Sequence, residues 1–323
     1  MTASALAARV RAIEHRVADS AGLRTTEHTL PLRTPAVRVR VRTTDGLGEP
    51  VVWINGIGAP AMAFAPLLAL LPGYRHILVD LPGHNLAPPY RWPDRPLRDL
   101  AVDVVTGTLD TLDITRTLLV GSSLGGLFAL WTALDAPHRV TGIAAFGAPA
   151  TALPGTRPTA AMVATARARR GRIDEWLMRL PAPRVVARAA LAEALGAGTV
   201  RRLSDDLVDL HSLPLRLPGQ AASYRALLRR LIRDRAPRPE TVLTDAELAR
   251  IDRPVLFVWG ERDVFASPEH ARPSIAKIPG AHLAVVPGGH APWLDDTSSC
   301  ATLLGDFLAG LPLPSTESEH PDA

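Results

Sequence analysis

The feature that most restricts how this chain can fold is the pentapeptide G-S-S-L-G at residues 121–125. It follows a short apolar run and precedes a helix-like stretch, so it lies between a predicted strand and a predicted helix. A turn this tight requires glycine on both sides, because side chains there would collide with the strand and the helix. With Ser122 at the apex the flanking residues would be Val120 and Leu124, which are too bulky. Ser123 is therefore the candidate nucleophile.

Short apolar runs alternate with helix-like segments around this turn, and this alternation predicts the fold class. Such runs are typical of strands buried on both faces. The predicted strands are 25–32, 36–43, 51–54, 77–79, 118–120, 142–146, 255–259 and 283–286. The predicted helices near them are 1–23, 62–71, 97–112 and 124–136. Strands that alternate with helices indicate an α/β fold, with a mostly parallel, doubly wound sheet.

The alternation stops for about a hundred residues after Pro149. That segment contains no convincing strand and includes predicted helices at 173–180, 184–195 and 223–233. We interpret it as a helical lid inserted over the carboxyl edge of the sheet. The predicted organisation is an N-terminal part of the core with its leading helix (1–149), the lid (150–252), a C-terminal part of the core (253–311) and a disordered tail (312–323).

An acyl-transfer serine needs a base and a group that orients the base. Asp263 follows the strand 255–259 and His290 follows the next strand, so both are expected at the sheet edge where active sites of open α/β sheets form. Glu261 is the nearby alternative acid and has the less suitable spacing. We predict a Ser123–His290–Asp263 triad.

The oxyanion of an acyl-transfer intermediate needs backbone N–H donors close to the nucleophile. Leu124 supplies one because it is the first helical residue after the turn. The second is expected from the loop N-G-I-G at residues 55–58, where glycines permit close backbone approach. Ile57 is the preferred donor in that loop, with Gly58 as the alternative.

The motifs together resemble the α/β-hydrolase superfamily over roughly residues 36–309. The matching motifs are N-G-I-G at 55–58, D-L-P-G-H at 80–84, G-S-S-L-G at 121–125, G-E-R-D at 260–263 and G-H at 289–290. The resemblance implies an α/β-hydrolase fold with an inserted helical lid and an esterase- or lipase-like serine hydrolase. The leading prediction is hydrolysis of a carboxylic ester or thioester of a small to medium apolar acyl compound. Carbon–carbon bond hydrolysis, acyl transfer by the same triad and a non-catalytic ligand-binding homologue remain alternatives.

Two motifs depart from the family pattern. Asn55 stands where the family usually has histidine, and we expect its amide to brace the oxyanion loop. The loop 80–87 has Asn85 and Ala87 in two signature places, so its conformation is expected to differ.

Other candidate polar residues are given structural roles. Asp80 and His84 are expected to fix the loop 80–87 rather than to react. His211 and His282 are expected to be structural or solvated, and Cys300 is expected to pack as a small apolar residue.

The basic residues are concentrated in the predicted lid. Residues 151–250 contain 18 arginines and 10 acidic residues, whereas the rest of the chain carries a net negative charge. Arg225, Arg229 and Arg233 would share one face of the helix 223–233. This pattern is typical of a solvated helix face. The alternative is that the positive charge attracts an anionic or carrier-bound substrate.

Composition limits the remaining classes of function. The sequence pI is about 9.9, but the net charge is only +4 and no nucleic-acid-binding motif is present, so we expect no nucleic-acid partner. No apolar run is long enough for a membrane span, and the N-terminus lacks the apolar region of a secretory signal, which predicts a cytoplasmic protein. The single cysteine excludes an internal disulfide, and no cofactor or metal is implied. A small-molecule acyl substrate is expected, and the sequence leaves the oligomeric state open.

Overall fold

A computed structural model describes residues 2–311. The predicted tail, 312–323, lies outside the described residues. The strands are β1 (Thr25–Leu32), β2 (Val37–Thr44), β3 (Pro50–Ile54), β4 (Arg75–Asp80), β5 (Thr117–Ser122), β6 (Val140–Phe146), β7 (Ile232–Arg233), β8 (Ala236–Pro237), β9 (Val255–Gly260) and β10 (Ala281–Val286).

Helices cover the sheet and fill the segment between β6 and β9. They are α1 (Ala3–Ser20), α2 (Ala65–Leu68), α3 (Leu97–Thr111), α4 (Leu124–Asp135), α5 (Ala160–Ala166), α6 (Arg170–Met178), α7 (Arg184–Leu195), α8 (Ala197–Arg202), α9 (Asp205–Ser212), α10 (Gln220–Leu231), α11 (Asp245–Ala249), α12 (Pro268–Ile275) and α13 (Thr297–Ala309). Short 3-10 turns lie at Ala61–Phe64, Pro137–Arg139, Pro214–Arg216, Pro239–Thr241 and Pro292–Leu294.

Eight strands form one sheet in the order β1-β2-β4-β3-β5-β6-β9-β10. The pairs β1–β2 and β2–β4 are antiparallel, and the other neighbours are parallel. Every residue of β5 and of β9 is buried. Burial on both faces explains why these strands are continuous apolar runs in the sequence. The predicted mostly parallel, doubly wound sheet is confirmed.

Two local expectations are wrong. The helix expected at 62–71 is a 3-10 turn followed by the four-residue helix α2. Pro66 lacks the N–H that a continuous helix from residue 62 would need, and it lies in the first turn of α2.

The second difference is the two-stranded ribbon β7–β8 within the segment expected to be entirely helical. Its turn residues Asp234 and Arg235 both have positive φ, which suits a tight hairpin, and α10 ends at Leu231, so Arg233 is not on the helix.

The segment 150–252 packs against the sheet domain through buried leucines. Leu227, Leu228 and Leu231 of α10 are at most 2% exposed and belong to the same apolar cluster as residues of β3, β4 and β6. Burial of three leucine side chains contributes several kcal/mol of packing free energy. The division into core and lid stays a prediction.

Helix α1 joins the sheet domain to the inserted segment. Its buried side chains pack against Met62 and Ala65 on one side and Leu210, Leu213 and Leu217 on the other. They are Leu6, Val10, Ile13, Val17 and Ala18. Arg9 and Arg16 of α1 also form ion pairs with α9, described below. No helix within residues 2–311 combines the length and apolar character needed to cross a bilayer.

A buried ionic cluster fixes α1 to the end of β4. The guanidinium of Arg40 donates to Glu14 at 2.6 Å, to Asp80 at 2.6 Å and to Glu27 at 2.7 Å. Asp80 also accepts from Asn85 Nδ2 at 2.8 Å and, through Oδ1, from a backbone N–H at 2.9 Å. These contacts confirm that Asp80 fixes the loop that follows it.

Candidate active site

The turn at residues 121–125 has the strain expected from its sequence. Ser123 lies at φ 50° and ψ −111°, outside the regions that side-chain-bearing residues favour. A Cβ atom on Gly121 would lie 2.2 Å from the Gly125 carbonyl carbon, and one on Gly125 would lie 2.1 Å from the Ile54 oxygen. Both distances are far below van der Waals contact, so the two flanking positions admit only glycine.

Asp263 and His290 are hydrogen-bonded to each other. Oδ2 of Asp263 accepts from His290 Nδ1 at 2.8 Å and from the Ala148 N–H at 2.8 Å. Oδ1 accepts from the Phe265 N–H at 2.9 Å. The two backbone donors hold the carboxylate in one orientation, and the carboxylate fixes the imidazole with its proton on Nδ1. Nε2 is then the nitrogen available as a base.

Glu261, the alternative acid, is exposed and 3.5 Å from the Arg262 guanidinium. The structure therefore brings Asp263 to the histidine and leaves Glu261 at the surface. The Phe265 ring packs over the imidazole with 4.3 Å between ring centroids.

The loop 55–58 passes directly beside the serine. A Cβ atom on Gly56 would lie 3.4 Å from Ser123 Cβ. Asn55 Nδ2 donates to the carbonyls of Gly56 and Ala59 at 2.8 and 2.9 Å, and its Oδ1 accepts from the Leu81 N–H at 2.8 Å. The expectation that an amide braces this loop is confirmed.

The backbone donors expected for the oxyanion lie at this loop and at the start of α4. Within residues 2–311, no acceptor is hydrogen-bonded to the N–H of Leu124 or of Ile57. Ile57 lines the same cavity as Ser123, whereas Gly58 is not among the lining residues. The geometry therefore favours Ile57 as the second donor.

Ser123 and His290 face one cavity of about 90 Å³. Most of its walls are apolar. They include Phe64, Met162, Leu195, Phe265 and Trp293. In the described part of the chain no hydrogen bond joins the Ser123 hydroxyl to the imidazole, and contacts of this kind often tighten only when substrate is bound.

Two polar residues of this cavity were not identified from the sequence as parts of the site. His211 of α9 is 5% exposed, so of the two expected roles it is not solvated, and it also lines the cavity. Tyr224 of α10 lines it too. Neither residue lies in a local motif, and only the packing of the inserted helices brings them to Ser123. The one sign in the sequence that His211 belongs to the site is its place on the apolar side of α9, next to Leu210.

The remaining polar candidates behave as expected. His282 is exposed on β10, and Cys300 is buried among apolar side chains. Burial raises the pKa of the Cys300 thiol to about 12. His84 is buried with Nδ1 against the Pro82 carbonyl at 3.1 Å, which supports a role in shaping its loop.

An arginine-lined groove of about 880 Å³ lies between α6, α10 and residues 89–91. Four of its arginines are exposed and have no carboxylate partner within residues 2–311; they are Arg91, Arg172, Arg179 and Arg229. A fifth, Arg225, lies 3.6 Å from Glu175. We call this surface the arginine groove. Because Tyr224 lines the cavity and Arg225 lines the groove, α10 separates the two.

Comparisons with known proteins agree with this fold. A family model described as the alpha/beta hydrolase fold matches residues 49–297. The chain is 31% identical to a pimeloyl-(acyl-carrier protein) methyl ester esterase of Stenotrophomonas maltophilia, over 82% of this chain and 95% of that protein. Among solved structures, carboxylesterase CesB from Bacillus subtilis aligns with a TM-score of 0.74 at 18% identity, over 94% and 99% of the two chains. A meta-cleavage product hydrolase from Pseudomonas fluorescens aligns with a TM-score of 0.68 at 21% identity, over 87% and 97%.

Proposed function

The chain belongs to the α/β hydrolase family, and from that premise we propose that it is a serine hydrolase that cleaves a carboxylic ester or thioester through an acyl-enzyme. The observation that carries the proposal is the hydrogen bond from His290 to Asp263 at the wall of the cavity that also contains Ser123. A strained serine, a base and an oriented carboxylate are the groups that acyl transfer requires.

Each of these groups has one role in the proposed reaction. Ser123 Oγ attacks the carbonyl carbon while His290 Nε2 takes its proton. Asp263 stabilises the imidazolium through the bond to Nδ1. The N–H groups of Leu124 and Ile57 bind the oxyanion. His290 then gives the proton to the departing alkoxide or thiolate, and a water activated by the same nitrogen releases the acid.

The cavity supports a small, largely apolar acyl group. Its volume of about 90 Å³ is much smaller than the 880 Å³ of the arginine groove. Aromatic and aliphatic side chains surround it, and the segment 150–252 contributes Met162, Leu195, His211 and Tyr224 to the walls. We infer that this segment acts as a lid that excludes water during the reaction. The esterase relatives support hydrolysis of an ester.

The test is covalent labelling by a fluorophosphonate probe together with hydrolysis of a short-chain 4-nitrophenyl ester. Ser123→Ala should abolish labelling and lower kcat by about 10⁴- to 10⁶-fold. Ser122→Ala, the matched control one residue earlier, should still be labelled. Labelling that persists in Ser123→Ala contradicts the mechanism, and a wild-type protein that is never labelled favours a non-catalytic ligand-binding protein.

The same acyl-enzyme permits two other outcomes. An acceptor alcohol or amine in place of water would give acyl transfer, and a carbon leaving group would give carbon–carbon bond hydrolysis. Product analysis with a simple ester, with and without an acceptor alcohol, distinguishes hydrolysis from transfer. A vinylogous 1,5-diketone tests the carbon–carbon reaction.

A second candidate is an ester presented on an acidic carrier protein. The observation that favours it is the arginine groove, whose four unpaired guanidinium groups would complement an acidic surface. The relative from Stenotrophomonas is named for an ester attached to acyl-carrier protein. A carrier seated on the groove would bring its acyl chain close to α10, on whose other side the cavity lies.

The carrier hypothesis predicts a salt-dependent preference for the carrier-bound ester. In the triple variant Arg172→Gln, Arg179→Gln and Arg229→Gln, kcat/KM for that ester should fall at least tenfold, while the free methyl ester is affected much less. Arg33→Gln with Arg38→Gln, on the exposed β1–β2 hairpin, is the control. If kcat/KM for the carrier-bound ester is independent of salt, the groove is a solvated surface only.

A further inference from the structure

The cavity contains two polar side chains that the proposed acyl-transfer reaction does not use. Apart from Ser122, Ser123 and His290, its polar lining side chains are His211 of α9 and Tyr224 of α10. A small number of polar groups in an apolar pocket orients the bound ligand and determines which ligands the pocket accepts.

His211 offers one nitrogen to an occupant of the cavity. Its Nδ1 lies 2.8 Å from the Leu207 carbonyl, one turn back in α9. A nitrogen facing a carbonyl oxygen must carry a proton, so Nε2 holds the lone pair. Burial lowers the pKa of His211, against the opposing effect of the Leu207 carbonyl, and the ring is therefore neutral at pH 7. Nε2 is a hydrogen-bond acceptor.

Tyr224 offers the complementary group. No hydrogen bond is made by its hydroxyl within residues 2–311. Burial raises the pKa of Tyr224 to about 12, so the hydroxyl remains protonated and can donate. Its ring packs against the turn 56–59, since a Cβ atom on Gly58 would lie 3.0 Å from the ring. The hydroxyl is therefore carried by a ring held against the oxyanion loop.

The position of His211 is set by ion pairs of α9. Asp209, two residues earlier, pairs with Arg9 at 3.1 Å and with Arg184 at 2.9 Å. Asp206 pairs with Arg16 at 2.6 Å. An acceptor on an anchored helix recognises a ligand with little loss of side-chain entropy on binding.

We propose that His211 and Tyr224 form a polar subsite that binds a hydroxyl substituent on a short acyl chain, making esters of short hydroxy acids the preferred substrates. The substrate hydroxyl donates to His211 Nε2, and Tyr224 donates to an oxygen of the same chain. A substrate without that hydroxyl leaves both polar groups of this apolar cavity without a partner in the complex, which a site of this kind disfavours. The proposal of this subsite depends on the proposed esterase function and specifies the substrate class of that esterase.

The experiment compares methyl butyrate with each enantiomer of methyl 3-hydroxybutyrate. In the wild-type protein, kcat/KM for the better hydroxy ester should exceed that for butyrate by at least tenfold. Tyr224→Phe and His211→Asn should each reduce this ratio by about tenfold. Asparagine retains a donor near the Nδ1 position and removes the Nε2 acceptor, so α9 keeps its bond to Leu207. His211→Gln places an acceptor near Nε2 and should retain more of the preference than His211→Asn.

Binding to the inactivated protein gives an independent measurement. Ser123→Ala should bind 3-hydroxybutyrate more tightly than butyrate, and addition of Tyr224→Phe should remove most of the difference. His282→Asn, on the exposed side of β10, is the control and should change neither the ratio nor the binding. An unchanged ratio in both His211→Asn and Tyr224→Phe overturns the subsite, as does an equal loss for both esters. Fluorophosphonate labelling without any preference for hydroxy esters refutes the subsite alone, whereas absence of labelling and hydrolysis refutes the esterase function.

Discussion

Asp263 holds His290 through a 2.8 Å hydrogen bond, and its two carboxylate oxygens are themselves fixed by the N–H groups of Ala148 and Phe265. Three elements of the chain meet at this carboxylate: the ends of β6 and β9 and the loop after β10. These backbone donors therefore position the Asp263 carboxylate before any substrate binds.

Asp263→Asn should lower kcat by about 10⁴-fold with little change in folding, because an amide can present its N–H to Nδ1 and favour the wrong tautomer of His290. Glu261→Gln removes the neighbouring exposed carboxylate and is the matched control. Hydrolysis rates of a short-chain ester and far-ultraviolet circular dichroism are the measurements. Comparable losses in the two variants would show that Asp263 has no special role.

Gly125→Ala should unfold the turn or displace Ser123, since the added methyl would lie 2.1 Å from the Ile54 oxygen. We expect loss of fluorophosphonate labelling and a decrease of several kcal/mol in the free energy of unfolding. Gly305→Ala, at a partly buried position of α13, is the control because the nearest neighbour of the added methyl would be 3.7 Å away. That variant should be stabilised by about 0.5–1 kcal/mol through helix propensity. Chemical denaturation of both variants measures these changes in the free energy of unfolding.

Glu14→Gln should destabilise the protein by about 1.5–3 kcal/mol, because it weakens the charge-assisted hydrogen bonds between Glu14 and Arg40 in a buried cluster, while Arg40 keeps its pairs with Asp80 and Glu27. Arg40 is 1% exposed and Glu14 is fully buried. The exposed pair Lys277–Asp245 provides the comparison, and Lys277→Ala should cost at most about 1 kcal/mol. If the urea midpoints of the two variants shift equally, the cluster contributes no more than a surface ion pair.

His84 should make stability depend on pH in the weakly acidic range. Burial lowers its pKa from 6.5 to about 4, against the opposing effect of the Pro82 carbonyl. The unfolded chain therefore binds more protons than the folded one between these values, and stability falls as the pH drops from about 6.5 to about 4, by roughly 3 kcal/mol for this group. His84→Asn should flatten that part of the unfolding free-energy curve, whereas His282→Asn should leave the slope as it is. An unaltered slope in His84→Asn would contradict the assignment.

The sequence predicted the features that depend on local pattern. Strands such as β5 and β9 are recognisable because burial on both faces requires continuous apolar residues. Asp263 and His290 could be paired in advance because each follows a parallel strand, and the carboxyl ends of neighbouring parallel strands meet at one edge. The failure at α2 is also local, since the effect of Pro66 outweighed the apolar periodicity around it.

What the sequence could not predict depends on how the inserted helices pack. His211 and Tyr224 lie 13 residues apart on different helices, and no spacing rule connects either of them to Ser123. The ionic contacts of Glu14 likewise join residues distant in the sequence, so a charged residue on α1 gave no sign that it would be fully buried. Long-range packing of this kind is visible only in the folded chain.

Helix α1 ties only part of the inserted segment to the sheet domain. Because α1 binds the sheet domain through Glu14 and α9 through Arg9 and Arg16, α9 and the α7 residue Arg184 paired with it form a stationary wall. Helices α5 and α6 lack these ties, and α6 exposes Ile173, Trp176 and Leu177. Helices α5 and α6 should therefore exchange amide hydrogens much faster than α9, and removal of residues 1–20 should abolish that contrast.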